Sequence, residues 1–182
     1  MIRRHLASLP LLVVAAALSA CASLDWSAAR LDEEADKALR VFNEEIDDAD
    51  LFLKQASGYL VFPKVIKAGL GLGAETGEGV LRVGGQTVDY YRTTSGSIGF
   101  QAGAQAKSIV IAFLTQASLD QFRESSGWKV GIDGSIALID VGIGKTIDTD
   151  NVRDPVVGFV FGSKGLMYNL TFEGSRFTKQ TK

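Results

Sequence analysis

The glycine residues of this chain all lie after Ser57, and their spacing constrains the fold more than any other feature. The 182 residues include twenty glycines but only three prolines, and the first glycine is Gly58. This composition does not indicate a disordered chain, because aliphatic residues accompany the glycines throughout. A glycine in a strand lets another backbone approach closely or lets the strand coil sharply. We therefore expect a single domain that is rich in closely packed or bent strands.

Two neighbouring segments show the pattern most clearly. Residues 97–104 alternate large and small side chains, which predicts a strand with a bare glycine face. Lys107 and Ser108 predict a turn. The apolar, β-branched run from Ile109 to Leu114 predicts a strand that is buried on both faces.

Local signals place the next helix and the other strands. Thr115 is an expected helix N-cap, so a short helix is predicted near residues 116-125, and Gly127 ends it. Leu114 and Leu119 have the spacing of a hydrophobic staple. Gly84-Gly85 predicts a two-residue hairpin turn. The remaining predicted strands are Ala68–Ala74, Gly79–Val83, Thr87–Thr93, Lys129–Val141, Val156–Phe161, Leu166–Phe172 and Ser175–Thr178.

The chain before the first glycine carries its only long helical pattern. Between Ala22 and Ala56, apolar residues recur at steps of three or four. Residues 25–54 contain ten acidic and four basic side chains, a net charge of −6, whereas helices on membrane surfaces are usually basic. We expect this helix to pack against its own domain rather than on a membrane. The predicted fold class is α+β: an N-terminal amphipathic helix plus a glycine-rich, mostly antiparallel, strongly curved or barrel-like β-sheet.

Residues 1-20 have the features of a lipoprotein signal peptide. Arg3 and Arg4 precede an apolar stretch that is too short to cross a bilayer, and Leu18-Ser-Ala-Cys21 matches the lipobox. We predict an acylated Cys21, a lipid-anchored linker over residues 21-30 and a folded domain over residues 31-182. An ordinary secretory signal with an incidental cysteine is the alternative. Ala22 replaces the aspartate that signals inner-membrane retention, which favours the periplasmic face of the outer membrane.

Removal of this signal would leave little catalytic chemistry. His5 is the only histidine and leaves with the signal, and Cys21 is the only cysteine. A mature chain without histidine or a free thiol excludes Ser-His-Asp and Cys-His catalysis, histidine-ligated zinc and structural disulfides. Asp133 and Asp140 flank an apolar run, but no other residue indicates an acid–base pair. We therefore expect no enzyme, no cofactor, no bound metal and no nucleic-acid partner.

Three short motifs resemble ligand-binding loops without meeting their requirements. Gly69–Gly73 is followed by Glu75 and more glycines, rather than by the helix that a dinucleotide site needs. Gly144-Lys145-Thr146 lacks the first glycine of a phosphate-binding loop. The segment Asp148–Asp154 has calcium-like carboxylate spacing but lacks the turn glycine, which predicts a plain polar loop.

Three segments resemble the signatures of the SYLF domain family. They are Val65–Gly69 with the glycines to Gly79, then Gly99–Gln105, then Gly165–Ser175, in the family's order across residues 49–179. The resemblance implies the properties of the family's eukaryotic members, which are phosphoinositide binding, membrane remodelling and, in some of them, actin binding. Bacterial members of the family are commonly small lipoproteins.

Basic residues near strand ends are the candidate contacts for an anionic lipid. The set is Lys64, Lys67, Arg82, Lys107 and Lys145. The resemblance favours Lys67, which lies inside the first signature, and a solvated lysine is the alternative. Five aromatic residues could line a lipid-facing rim or complete the core: Trp26, Tyr59, Tyr90, Tyr91 and Trp128.

The sequence thus favours a non-enzymatic, lipid-anchored envelope protein that binds phospholipid or a phosphoinositide-type anionic lipid. A structural or interaction lipoprotein of the outer membrane, acting through protein partners, is the alternative. An apolar pocket with Lys67 at its mouth would favour the first function. A solid interior with a large exposed apolar patch would favour the second.

Overall fold

The computed structural model describes residues 25–140, 154–165 and 174–182, which form three helices and six strands. The helices are α1 (Ala28–Glu45), α2 (Ala49–Gln55) and α3 (Gln116–Glu124). The strands are β1 (Gly58–Val83), β2 (Gln86–Phe113), β3 (Trp128–Lys129), β4 (Ala137–Asp140), β5 (Val156–Gly165) and β6 (Arg176–Gln180). The strand order is β3-β6-β2-β5-β4, and β1 pairs with β2. All the described strand pairs are antiparallel except β4 with β5, so the expected α+β class and mostly antiparallel sheet are confirmed.

Strands β1 and β2 form one very long hairpin. Their register runs from Gly58 opposite Phe113 to Val83 opposite Gln86. The predicted turn at Gly84-Gly85 is confirmed, since both residues have the positive φ that a two-residue hairpin turn requires. The division of this region into five short strands, with a turn at Lys107 and Ser108, is wrong. The two long strands stay paired through Lys107 and Ser108. These polar residues lie at a shift in the register of the ladder and do not end it.

Strand β1 bends back so that its two arms pack against each other. A Cβ atom on Gly79 would lie 2.5 Å from the carbonyl oxygen of Val61, and one on Gly77 would lie 2.7 Å from that of Lys64. Near the start of β1, a Cβ atom on Gly58 would lie 3.1 Å from the carbonyl oxygen of Arg82. These approaches make the sheet strongly curved. The glycine face predicted at residues 97–104 is different, because a Cβ atom on Gly103 would meet nothing within 4 Å.

The sheet has a core on each face. The first core joins α1 and α2 to side chains such as Val61, Val110 and Phe159. The second core lies on the opposite face, where α3 packs against alternate residues such as Phe62 and Ile111. The segment Ile109–Phe113 contributes to both cores, which confirms the prediction of a strand buried on both faces.

The long helix predicted between Ala22 and Ala56 is broken. Helix α1 ends at Glu45, α2 begins at Ala49, and Asp48 between them has a φ of 60°, in the left-handed region. Ile46, which follows α1, is extended, and a helix cannot continue through either conformation. The short helix and its N-cap are confirmed, because the Thr115 hydroxyl accepts a hydrogen bond from the Ser118 amide at 3.2 Å.

Other local predictions need correction. Lys129–Val141 is not one strand, because a turn holds Asp133, whose carboxylate accepts from the Lys129 amide at 2.7 Å. Leu114 packs on the first core and Leu119 on the second, so the hydrophobic staple is wrong. The predicted strand Leu166–Phe172 lies outside the described residues, as does Asp148–Asp154 up to its last residue. Every helix within the described residues is too short or too polar to span a bilayer.

Candidate ligand-binding groove

Two β-bulges lie side by side where β1, β2 and β5 meet. Pro63 and Lys64 on β1 together oppose the single residue Ser108 on β2. One strand further, Gly162 and the residue after it on β5 oppose Lys107. Gly162 has a φ of 60°, a conformation that glycine adopts without steric cost. Bulges bend a strand and redirect its side chains, and here they act at the same level of three adjacent strands.

A groove of about 350 Å³ lies over these bulges. One wall is the first two turns of α1, and the other wall and floor are the bulged strands. The described residues that line it are Trp26, Arg30, Glu34, Pro63, Lys64, Ala106, Lys107, Ser108 and Gly162. Helix α1 presents its lining side chains at steps of four residues, which place them on one helix face.

The groove carries an excess of exposed positive charge. Arg30 and Lys64 are exposed, and neither forms an ion pair with another described residue. The Arg30 guanidinium lies 5.8 Å from the centre of the Trp26 ring, within the range of a cation–π interaction. Glu34 shares the Lys37 ammonium, at 3.0 Å, with Glu33 at 2.7 Å, which offsets part of its negative charge. The mouth of the groove therefore suits an anion.

The floor of the groove is polar but internally bonded. The Lys107 ammonium lies 3.0 Å from the Glu75 carboxylate, and the exposed fractions of these side chains are 3% and 6%. The Ser108 hydroxyl donates to the Pro63 carbonyl at 2.9 Å and retains its acceptor capacity. Because removal of one partner would leave a buried charge uncompensated, the Lys107–Glu75 pair fixes the floor in place.

The structure brings together two of the five basic residues that the sequence predicted for lipid binding. Lys64 and Lys107 line the groove. Lys67 is only 7% exposed and lies opposite Gln105 in the ladder, away from the described groove lining. Arg82 forms an ion pair with Asp36 of α1 at 2.6 Å, so it fastens the helix to the sheet. Lys145 lies outside the described residues.

Two residues at the groove mouth, Arg30 and Trp26, were not assigned to this site from the sequence. Arg30 was not singled out, and the role of Trp26 was left open. The helical periodicity after Ser27 places Arg30 and Glu34 on one face, but no local signal indicates that this face meets a bulge. Of the other aromatic residues, Tyr91 and Trp128 are core residues, with exposed fractions of 2% and 3%.

The two structural tests, an apolar pocket with Lys67 at its mouth and one large exposed apolar patch, do not separate ligand binding from partner binding. Lys67 is 7% exposed and does not line the groove over the bulges, so this groove is not the expected pocket with Lys67 at its mouth. The most exposed large apolar side chains, Leu72 and Ile132, are 70% and 77% exposed and lie at separate bends. The described ranges also contain no cluster of three or more metal-ligating side chains.

Residues 94–182 match the Ysc84 family, which is described as Las17-binding protein actin regulator. This chain contains a SYLF domain. The matched part of the SYLF domain supplies Lys107, Ser108 and Gly162 to the groove, and it includes the second and third signatures. The first signature lies before it, but Lys67 and Ala68 pair directly with Gln105 and Ala104 of the second. No curated protein matches the chain. The family description is that of a binding and regulatory protein rather than an enzyme.

Proposed function

We propose that this protein binds phosphate-bearing lipid headgroups through the groove over the bulges. The observation that carries the proposal is the convergence of Arg30, Lys64 and the Trp26 ring on one groove mouth. Two exposed cations favour an anionic headgroup, and a partly buried tryptophan suits the boundary between headgroups and water. The ligand class is an anionic phospholipid, including phosphoinositide-type lipids.

Affinity from the groove alone would be modest. Each cation near an anionic surface contributes about 1 kcal/mol, so two contribute on the order of 2 kcal/mol. Such a contact becomes useful when the protein is already tethered, because a tether raises the effective concentration of the second binding site. The proposed acyl chains on Cys21 would supply that tether, at about 0.8 kcal/mol per buried CH₂.

Chain length is consistent with this arrangement. From Cys21 to Trp26 the chain advances by five residues, and even a fully extended chain covers at most about 18 Å over that distance. A lipid attached to Cys21 would therefore keep the groove within about 20 Å of the membrane surface. We place the protein, as a proposal, at the periplasmic face of the outer membrane.

The headgroup proposal is tested by vesicle co-sedimentation. The chain from residue 21, with Cys21→Ser to prevent acylation, is mixed with zwitterionic or anionic vesicles at increasing salt. We expect binding to anionic vesicles that weakens with salt, and an affinity about 30-fold lower for Arg30→Gln with Lys64→Gln. Arg40→Gln with Lys54→Gln is the matched control, since it removes the same two charge types from exposed positions outside the groove.

Equal affinities of the two double variants would contradict the role of the groove. Absence of binding to every vesicle would contradict headgroup binding altogether. The anchor is tested separately in cells: Cys21→Ser should abolish incorporation of labelled palmitate and release the protein from the outer-membrane fraction. Retention of the variant in that fraction would count against the lipid anchor.

Binding to a protein partner is the second candidate, and the family description favours it because it names a binding protein and actin regulator. A protein partner would contact exposed apolar side chains as well as charge. A photo-crosslinking amino acid at Leu72, which is 70% exposed, should then capture a discrete envelope protein that the same probe at Lys54 does not capture. An identical pattern at both positions would argue against a specific partner at Leu72.

A further inference from the structure

The main chain of Trp26 is held on both sides by side chains that lie far away in the sequence. Its amide donates to the Glu78 carboxylate at 2.9 Å, and its carbonyl oxygen accepts from the Lys182 ammonium at 2.6 Å. Glu78 belongs to β1, and Lys182 follows β6. Trp26 itself precedes α1, so these two bonds tie the entry of the domain to its sheet.

The clamping groups are buried and bonded to each other. The Glu78 and Lys182 side chains are 3% and 7% exposed, and the Lys182 nitrogen lies 3.0 Å from both Glu78 oxygens. Arg92 donates to Glu78 at 2.7 Å, and Asp25 accepts from Lys182 at 2.7 Å. Charge-assisted bonds of this kind are short and directional. Removal of one partner costs much more stability in a buried pair than in a surface pair.

We infer that Glu78 and Lys182 form a clamp that fixes Trp26 and thereby sets the shape of the groove mouth. Neither side chain lines the groove. They act through Trp26, whose ring faces the Arg30 guanidinium and forms part of the groove wall. The Lys182 ammonium also lowers the pKa of Asp25, as expected for a carboxylate that accepts its hydrogen bond.

The clamp also lies at the junction between the domain and the segment that precedes it. Residue 25 itself contacts the clamp, because the Asp25 carboxylate accepts from the Lys182 ammonium. The clamp therefore keeps the Trp26 ring at the groove mouth, where it favours ligand binding. This consequence for ligand binding rests on the proposed function, whereas the positioning of Trp26 does not.

The two tryptophans of the chain allow both statements to be measured in one sample. Protein labelled with 5-fluorotryptophan gives two ¹⁹F resonances, which Trp26→Phe assigns. Lys182→Met should shift or broaden the Trp26 resonance and leave that of Trp128, a core residue, unchanged. Lys182→Arg should restore most of the Trp26 signal. Lys179→Met is the matched control, since it removes the same charge from nearby β6, where Lys179 pairs with Asp89 at 2.5 Å.

Vesicle binding by the same variants tests the second statement. Lys182→Met should weaken binding to anionic vesicles by about fivefold relative to Lys179→Met, a typical coupling between groups in one network. An unchanged Trp26 resonance would overturn the clamp, whatever the binding result. A changed resonance with unchanged binding would overturn its effect on the groove. If the unsubstituted protein binds no vesicles, the headgroup proposal fails, and the resonances alone decide the clamp.

Discussion

Gly79 shows how a missing side chain sets the curvature of the sheet. The place of its Cβ atom is occupied by the Val61 carbonyl oxygen and the Phe62 ring, both at 2.5 Å. Backbone cannot move aside as the end of a flexible side chain can. The arms of β1 therefore approach this closely only because residue 79 has no Cβ atom.

Gly79→Ala should lower the free energy of unfolding by about 1–3 kcal/mol, the usual cost of overpacking a tight site. Gly96→Ala is the matched control in the same hairpin, because a Cβ atom there meets nothing within 4 Å. Urea unfolding of both variants measures the difference. Similar midpoints for the two would show that β1 tolerates a wider separation of its arms.

Tyr91 is a buried titratable residue of the second core. It is 2% exposed, and its ring packs against the tilted Phe122 ring with the two ring centres 4.8 Å apart. Its hydroxyl has no hydrogen-bond partner among the described residues. Burial raises the pKa of Tyr91 to about 12, and the nearby Asp89 carboxylate adds to the effect. The folded protein thus favours the neutral phenol.

This pKa predicts a loss of stability at high pH. An unfolded tyrosine deprotonates near pH 10 and the folded one near pH 12, so the contribution is complete below pH 10 and is lost between pH 10 and 12. The loss is on the order of 2–3 kcal/mol. Tyr91→Phe should remove this part of the pH dependence of the free energy of unfolding. Near pH 7, the slope of that free energy against pH should match that of the unsubstituted protein. Identical profiles up to pH 12 would contradict the assignment.

At the scale of elements, Asp48 divides what the sequence pattern presents as one amphipathic helix. The extended Ile46 ends α1, and the left-handed Asp48 then lets the chain turn into α2. As a result Phe42 and Phe52 both contact the Phe159 ring, at 5.2 and 5.4 Å. An uninterrupted helix would carry the later residues away from this ring. The apolar spacing is compatible with both structures, since each half remains amphipathic.

Asp48→Gly should raise the free energy of unfolding by about 0.5–1 kcal/mol, because glycine adopts a positive φ without the Cβ clash. Asp47→Gly is the control: it removes an equal charge from the adjacent exposed position, and Asp48 is the only non-glycine residue with positive φ in the described ranges. Thermal unfolding followed by circular dichroism measures both. A loss of stability in Asp48→Gly would mean that its carboxylate contributes more than the backbone strain costs.

For the whole molecule, the two cores share one sheet and should not unfold separately. Phe42 lies in the first core and Trp128 in the second, on opposite faces of the same strands. Removal of packing on one face frees strands that also support the other. We therefore expect a single cooperative transition.

Phe42→Ala should destabilise the protein by about 3–5 kcal/mol. In a Trp26→Phe background, Trp128 is the only tryptophan, and its fluorescence reports the second core. Its urea midpoint should fall together with that of the circular dichroism signal. Two separate midpoints would show that the faces unfold independently.

The sequence determined the features that depend on near neighbours along the chain. The turn at Gly84-Gly85, the N-cap at Thr115 and the burial of Ile109–Phe113 on both faces follow from side chains a few residues apart. The curvature was also foreseeable in kind, because glycines at alternate positions of a strand favour close backbone approach. The α+β class follows from these local features together.

The tertiary structure alone decided which charges remain available to a ligand. The sequence does not distinguish Lys107 and Arg82 from Lys64 as lipid contacts. In the structure, Lys107 forms an ion pair with Glu75 and Arg82 forms one with Asp36, both from distant segments. Arg30 lines the groove only because its face of α1 lies beside two aligned bulges. The position of those bulges depends on how three strands pair. Ion pairs and register are set by residues that are close in space and remote in sequence, so no local pattern could predict them.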